Sequence, residues 1–137
     1  MRDPEGLLDT SAVLALPRLA EGLALPEVSL ISAVTLAELA LGPLLASDNL
    51  QRARRQAQVQ QAEADFDPLP FDAAAARAFA RVAASLRQAG RKPTARSFDA
   101  MIAAIAIANG LPLYTANPAD FAGIDDLVVR AIAAAQP

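Results

Sequence analysis

Three acidic residues sit in similar local settings: Asp9 in Gly6-Leu7-Leu8-Asp9-Thr10-Ser11, Glu38 in Ser32-Ala33-Val34-Thr35-Leu36-Ala37-Glu38-Leu39, and Asp99 in Arg96-Ser97-Phe98-Asp99-Ala100-Met101-Ile102. Each lies at the edge of an apolar stretch with a hydroxyl side chain nearby. A carboxylate in apolar surroundings is costly unless a hydrogen-bond donor or a positive charge meets it. Two carboxylates about 4 Å apart repel by roughly 4 kcal/mol at an effective dielectric of about 20. Three acids brought together call for a cation, and carboxylate oxygens select hard ions such as Mg²⁺ or Mn²⁺. Such an ion activates water and commonly bridges to substrate phosphates, so the reaction class is metal-dependent hydrolysis of a phosphodiester.

The chain has no His and no Cys. That removes Ser-His-Asp and Cys-His nucleophiles, histidine bases and every His- or Cys-ligated metal centre. What remains is carboxylate, hydroxyl, Arg and the single Lys92. Each acid also has a structural reading. Asp9 could cap the next helix, but Thr10 or Ser11 is better placed for that and leaves Asp9 free. Glu38 could reach solvent from a helix that is buried on most sides. Asp99 could answer the helix dipole or pair with Arg96. Asn117 and Asp120 lie in a turn, Asp125 and Asp126 in a solvated loop, and Lys92 reads as a loop charge.

The elements that must position these groups follow from pattern. Gly6 to Asp9 and Leu111 to Thr115 read as short buried strands, and Val28 to Ile31 and Leu127 to Val129 as two further strands. Helices are expected from Ser11 to about Leu16, from Ala33 (capped by Ser32) to about Leu41, and from Asn49 to about Ala64. Another runs from an Asp72 cap to about Ala89, and one starts at Thr94 or Ser97 and ends at Asn109-Gly110. A tail helix is expected over Ala131 to Ala135. The polar helix after Asn49 should project from the body with Leu50, Ala53, Ala57 and Val59 on its buried side. Apolar strands alternating with helices predict an α/β fold with a parallel sheet, whose ligands bind beyond the carboxyl ends of the strands.

At 137 residues the chain reads as one domain spanning 1–137, able to bury roughly two thirds of its unfolded surface. Hydrophobic residues make up 54% and aromatics 4%, which predicts a helix-rich, alanine-packed core. The apolar run Ala100 to Ala108 is too short to span a bilayer. The N-terminus lacks the pattern of a signal peptide, so a cytoplasmic location is expected. A net charge of −3 argues against nucleic-acid binding, but nine of the 12 basic residues fall between Arg52 and Arg96. That concentration could form one positive face for phosphates, or a pair of solvated helix surfaces.

Four blocks in order, around Asp9, Glu38 and Asp99 and then Leu113-Tyr114-Thr115-Ala116-Asn117-Pro118-Ala119-Asp120-Phe121, resemble those of PIN-domain nucleases. Length and spacing look most like the toxin of a VapBC toxin–antitoxin pair. The resemblance implies a three-layer α/β/α sandwich with a central, mostly parallel sheet. It implies a Mg²⁺- or Mn²⁺-dependent endoribonuclease that cuts RNA in a structured or sequence-defined context. It also implies a homodimer inhibited by a small cognate antitoxin. Asp9, Glu38 and Asp99 would then be the metal-binding acids. Thr10 or Ser11 would assist around the first acid and Thr115 around the last strand. The family often has a fourth acid in the final block; Asn117 holds that place, with Asp120 close behind. Arg96 would contact substrate phosphate or pair with Asp99. The rival reading is a PIN-like RNA- or protein-binding module without turnover.

Overall fold

The computed structural model describes residues 2–19 and 25–133. Four short strands, β1 (Glu5–Leu8), β2 (Val28–Leu30), β3 (Leu113–Thr115) and β4 (Val129–Ala131), form one sheet in the order β2-β1-β3-β4, every pair parallel. Leu7 stands opposite Leu30 on one side and Leu113 on the other, and Leu113 stands opposite Val129. Five α-helices accompany them: α1 (Thr10–Ala15), α2 (Ala33–Leu41), α3 (Asn49–Asp65), α4 (Ala73–Gln88) and α5 (Ser97–Ala108).

Successive strand residues face opposite sides, so a strand buried on both faces must be apolar throughout. Leu7 and Leu113 join Val82, Leu86, Ile102 and Ile105 in a core under α4 and α5. Leu8 and Tyr114 join Ala12, Val59 and Ala62 in a second core under α1 and α3. Helix α2 serves both, Val34 in the first and Leu39 in the second. The three-layer α/β/α arrangement follows. Ile105, fully buried, contributes about 1.5–3 kcal/mol through that burial.

Caps set the helix starts. Ser32 Oγ accepts from Thr35 N at 3.0 Å, Asp48 Oδ1 from Gln51 N at 2.7 Å and Asp72 Oδ1 from Ala75 N at 3.0 Å. The extended piece around Leu69 runs beside the β2 edge: Ala33 N donates to Leu69 O and Leu69 N to Ile31 O. It blunts an edge that would otherwise offer open backbone groups.

Three expectations need correction. The last strand runs over Val129–Ala131, not Leu127 to Val129, and takes in Ala131, where the tail helix was expected to start, because its backbone pairs with β3; residues 134–135 of that expected helix lie outside the described residues. On α3 the buried residues are Val59 and Ala62, while Leu50, Ala53 and Ala57 are exposed. On α2, Ala33, Ala37, Ala40 and Leu41 form an exposed apolar stripe, so this helix is not buried on most sides.

Candidate active site

Strand order places β2 on one side of β1 and β3 on the other. That makes β1 and β3 the neighbours at which the order of strand addition reverses, where open α/β sheets bind ligands. Asp9 follows β1 directly and Thr115 ends β3. The two strand ends are tied by Asp9 N donating to Tyr114 O at 3.0 Å.

Asp9 is almost fully buried and works hard for a carboxylate. Its Oδ1 accepts from Ala12 N at 2.8 Å and Ser11 Oγ at 2.7 Å, and its Oδ2 from Thr115 Oγ1 at 2.6 Å. It is therefore the N-cap of α1, a job the sequence reading gave to Thr10 or Ser11. Those hydroxyls are engaged elsewhere. Ser11 bonds Asp9 and accepts from Ala116 N at 3.0 Å; Thr10 Oγ1 donates to Glu38 Oε1 at 2.7 Å and lies within hydrogen-bond distance of Thr35 Oγ1 at 3.1 Å. Thr115 belongs beside the first acid, on β3, and not at the last strand. Its hydroxyl also accepts from Asn117 N at 3.0 Å. The bond from Thr10 to Glu38 joins the first block to the second, a link that no spacing in the sequence announces.

Asp99 enters from α5, which runs back toward β3, so its first turn lies at the same edge. No side chain caps α5, and the acid answers the orphan N–H groups of that turn. Arg96 Nη1 reaches Asp99 Oδ2 at 3.5 Å and Asp120 Oδ1 at 3.1 Å. Arg96 thus joins the third block to the fourth. Asp120 is the residue of the final block brought to the acids in this way. Asn117 is exposed and makes no side-chain capping bond.

The carboxylates act on one another. Burial lifts Asp99 to about 6, with the charges of Asp120, Glu38 and Asp9 adding to the rise and Arg96 opposing it. Burial also raises Glu38, helped by Asp9 and opposed by the Thr10 hydrogen bond. Among the described residues no three acids already stand close enough to form a finished metal cage. The donor set nevertheless suits a hard divalent ion. It is all oxygen, it is short of positive charge, and among the described residues Asp9 Oδ2 accepts one hydrogen bond, from Thr115.

A parallel α/β/α domain with interacting carboxylates at the carboxyl edge of β1 and β3 is the class that fold and site define. The PIN domain family model matches residues 7–127, and the chain belongs to that family. It is 40% identical over 123 residues to ribonuclease VapC5 of Mycobacterium tuberculosis, an alignment covering 88% of this chain and 87% of that protein. The structure matches that of VapBC-5, a member of the VapBC family of toxin–antitoxin systems from Mycobacterium tuberculosis. The TM-score is 0.80 at 38% identity, over 94% of this chain and 98% of that one. FitAcB from Neisseria gonorrhoeae matches with a TM-score of 0.68 at 27% identity, over 90% and 94% of the two chains.

Proposed function

We propose that this protein is a Mg²⁺- or Mn²⁺-dependent endoribonuclease acting as the toxin of a toxin–antitoxin pair. The observation that carries the reading is the linked set of acids at one sheet edge, in a chain 40% identical to a named ribonuclease. Asp9, Glu38 and Asp99 hold the ion, with Asp120 beside them. The ion supplies Lewis acidity, lowering the pKa of water and neutralising phosphate charge. Ser11 and Thr115 fix the Asp9 carboxylate, Thr10 fixes Glu38, and Arg96 holds Asp99 and Asp120 in register. A binding module without turnover would have no use for such a set, and none of the three acids is lost.

The partner is a small cognate antitoxin, and the protein pairs with a second copy of itself in the cytoplasm. Leu41, Leu44, Leu45 and Leu50 support a protein partner: they are exposed together where α2 passes into α3. An apolar patch of that kind on a small domain marks an interaction surface. Among the described residues no helix is long and apolar enough to cross a membrane.

An RNA cleavage assay tests the central reading. EDTA is expected to abolish cleavage and excess Mg²⁺ to restore it. Asp9→Asn, which keeps a capping oxygen but loses the charge, is expected to cut the rate by on the order of 10²-fold or more. Cleavage undiminished by EDTA and by the substitution would refute the site.

A further inference from the structure

The nine basic residues between Arg52 and Arg96 do not form one face. Arg52, Arg54 and Arg55 lie on α3, which packs on one side of the sheet; Arg77, Arg81 and Arg87 lie on α4, which packs on the other. Arg91, Lys92 and Arg96 are the three that border the acids. Together with Leu86, Asp99, Ala100, Asp120 and Ile124 they line a hollow of about 240 Å³ next to Asp99.

This hollow is built rather than incidental. Arg91 Nη1 donates to the carbonyls of Ala122 at 2.5 Å and Ala119 at 3.4 Å, which fixes the loop that carries Asp120 and Ile124. Gly123 has φ +86°, and a Cβ there would stand 2.8 Å from the Cβ of Ala89. Glycine is what lets this loop close against the end of α4. Arg91 and Arg96 are both committed, one to carbonyls and the other to Asp99 and Asp120. Lys92 is exposed and has no partner among the described residues.

We infer that the hollow is a nucleotide subsite for the substrate strand, in which Leu86, Ala100 and Ile124 receive a base adjoining the scissile phosphate and Lys92 receives the phosphate of that nucleotide. The inference rests on the ribonuclease reading and adds which face of the site the strand crosses. The volume falls below the roughly 300–1,000 Å³ of sites that enclose a whole ligand, and so suits one base with its sugar in solvent. Aliphatic side chains contact any base, so the subsite holds the strand without reading its sequence. A free ammonium at the rim meets a phosphate that the neighbouring carboxylates would otherwise repel. The basic side chains of α3, and Arg77 and Arg81 of α4, do not line the hollow.

The test uses the full chain, ¹⁵N-labelled, in EDTA, titrated with a six-nucleotide single-stranded RNA of mixed sequence. Amide signals of Lys92, Ala100 and Ile124 are expected to move together. Shifts confined to α3, or to α4 away from Leu86, or no shift at all, overturn the subsite. In parallel, Lys92→Ala and Ile124→Trp, checked for folding by circular dichroism, are expected to raise KM for RNA by about tenfold with kcat within about twofold. Lys92→Ala is also expected to flatten the salt dependence of binding by about one phosphate contact. Unchanged KM and unchanged salt slope overturn the assignment. If the ribonuclease reading itself were wrong, the unaltered protein would fail to cleave in Mg²⁺, and binding in EDTA would still report on the hollow.

Discussion

Among the described residues every donor that meets the Asp9 carboxylate is neutral: a backbone N–H and two hydroxyls. They satisfy its oxygens without cancelling its charge, and that charge bears on Glu38 and Asp99. Asp99 shows the consequence. Its carboxyl ordinarily titrates at 3.8 and is pushed to about 6 in the fold, chiefly by burial. The folded protein therefore holds this proton more tightly than the unfolded chain does. The associated stability is complete below about pH 4 and is lost as pH rises through about 6. In EDTA, thermal unfolding across that window is expected to show the wild type losing Tm relative to Asp99→Asn, with added Mg²⁺ at neutral pH reversing the loss. Parallel Tm profiles for the two proteins would contradict the assignment. The acids themselves were legible in the sequence, since each stands out from an apolar block. Their hydroxyl partners were legible only as types. Which hydroxyl serves which acid depends on register: the alignment of Leu8 with Tyr114 is what carries Thr115 to Asp9.

Short strands hold this sheet together with few ladder bonds, so the fit between neighbouring strands carries extra weight. Gly6 on β1 is the tightest point. A Cβ there would lie 2.4 Å from Tyr114 Cε1 and 3.0 Å from Pro26 Cγ, with the tyrosine almost fully buried and unable to swing clear. Gly6→Ala is expected to cost about 1–3 kcal/mol in denaturant unfolding, well above an ordinary surface change. A loss below about 0.5 kcal/mol would contradict this packing. Most elements could be read from the chain because capping side chains, prolines and the Asn109-Gly110 stop mark their ends sharply. The failures have physical causes. Alanines after Arg130 favour helix by propensity, but Val129–Ala131 gains a strand partner in β3, and tertiary pairing overrides the local preference. Helix α3 is so polar that its few apolar residues carry no reliable period, so its buried side was misassigned to Leu50, Ala53 and Ala57.

At the scale of the whole molecule, topology does what sequence distance obscures. Acids at 9, 38, 99 and 120 come toward one edge because β1 and β3 are neighbours, because Thr10 ties Glu38 on α2 to the end of β1, and because α5 brings its first turn there. The same architecture separates the basic residues that look contiguous in sequence, sending six of the nine to outer helices and leaving Arg91, Lys92 and Arg96 beside the acids. Clustering along a chain predicts clustering in space only within one element. The exposed leucines between α2 and α3 then stand apart from the chemistry and leave room for a protein partner. All of this turns on the acids sharing a hard divalent ion. The direct measurement is Mn²⁺ binding followed by electron paramagnetic resonance, on wild type, Asp9→Asn and Asp99→Asn, each shown to be folded. Saturable binding by the wild type, weakened by at least about tenfold in each variant, is the predicted result. No binding by the wild type, or equal binding by all three proteins, would contradict it.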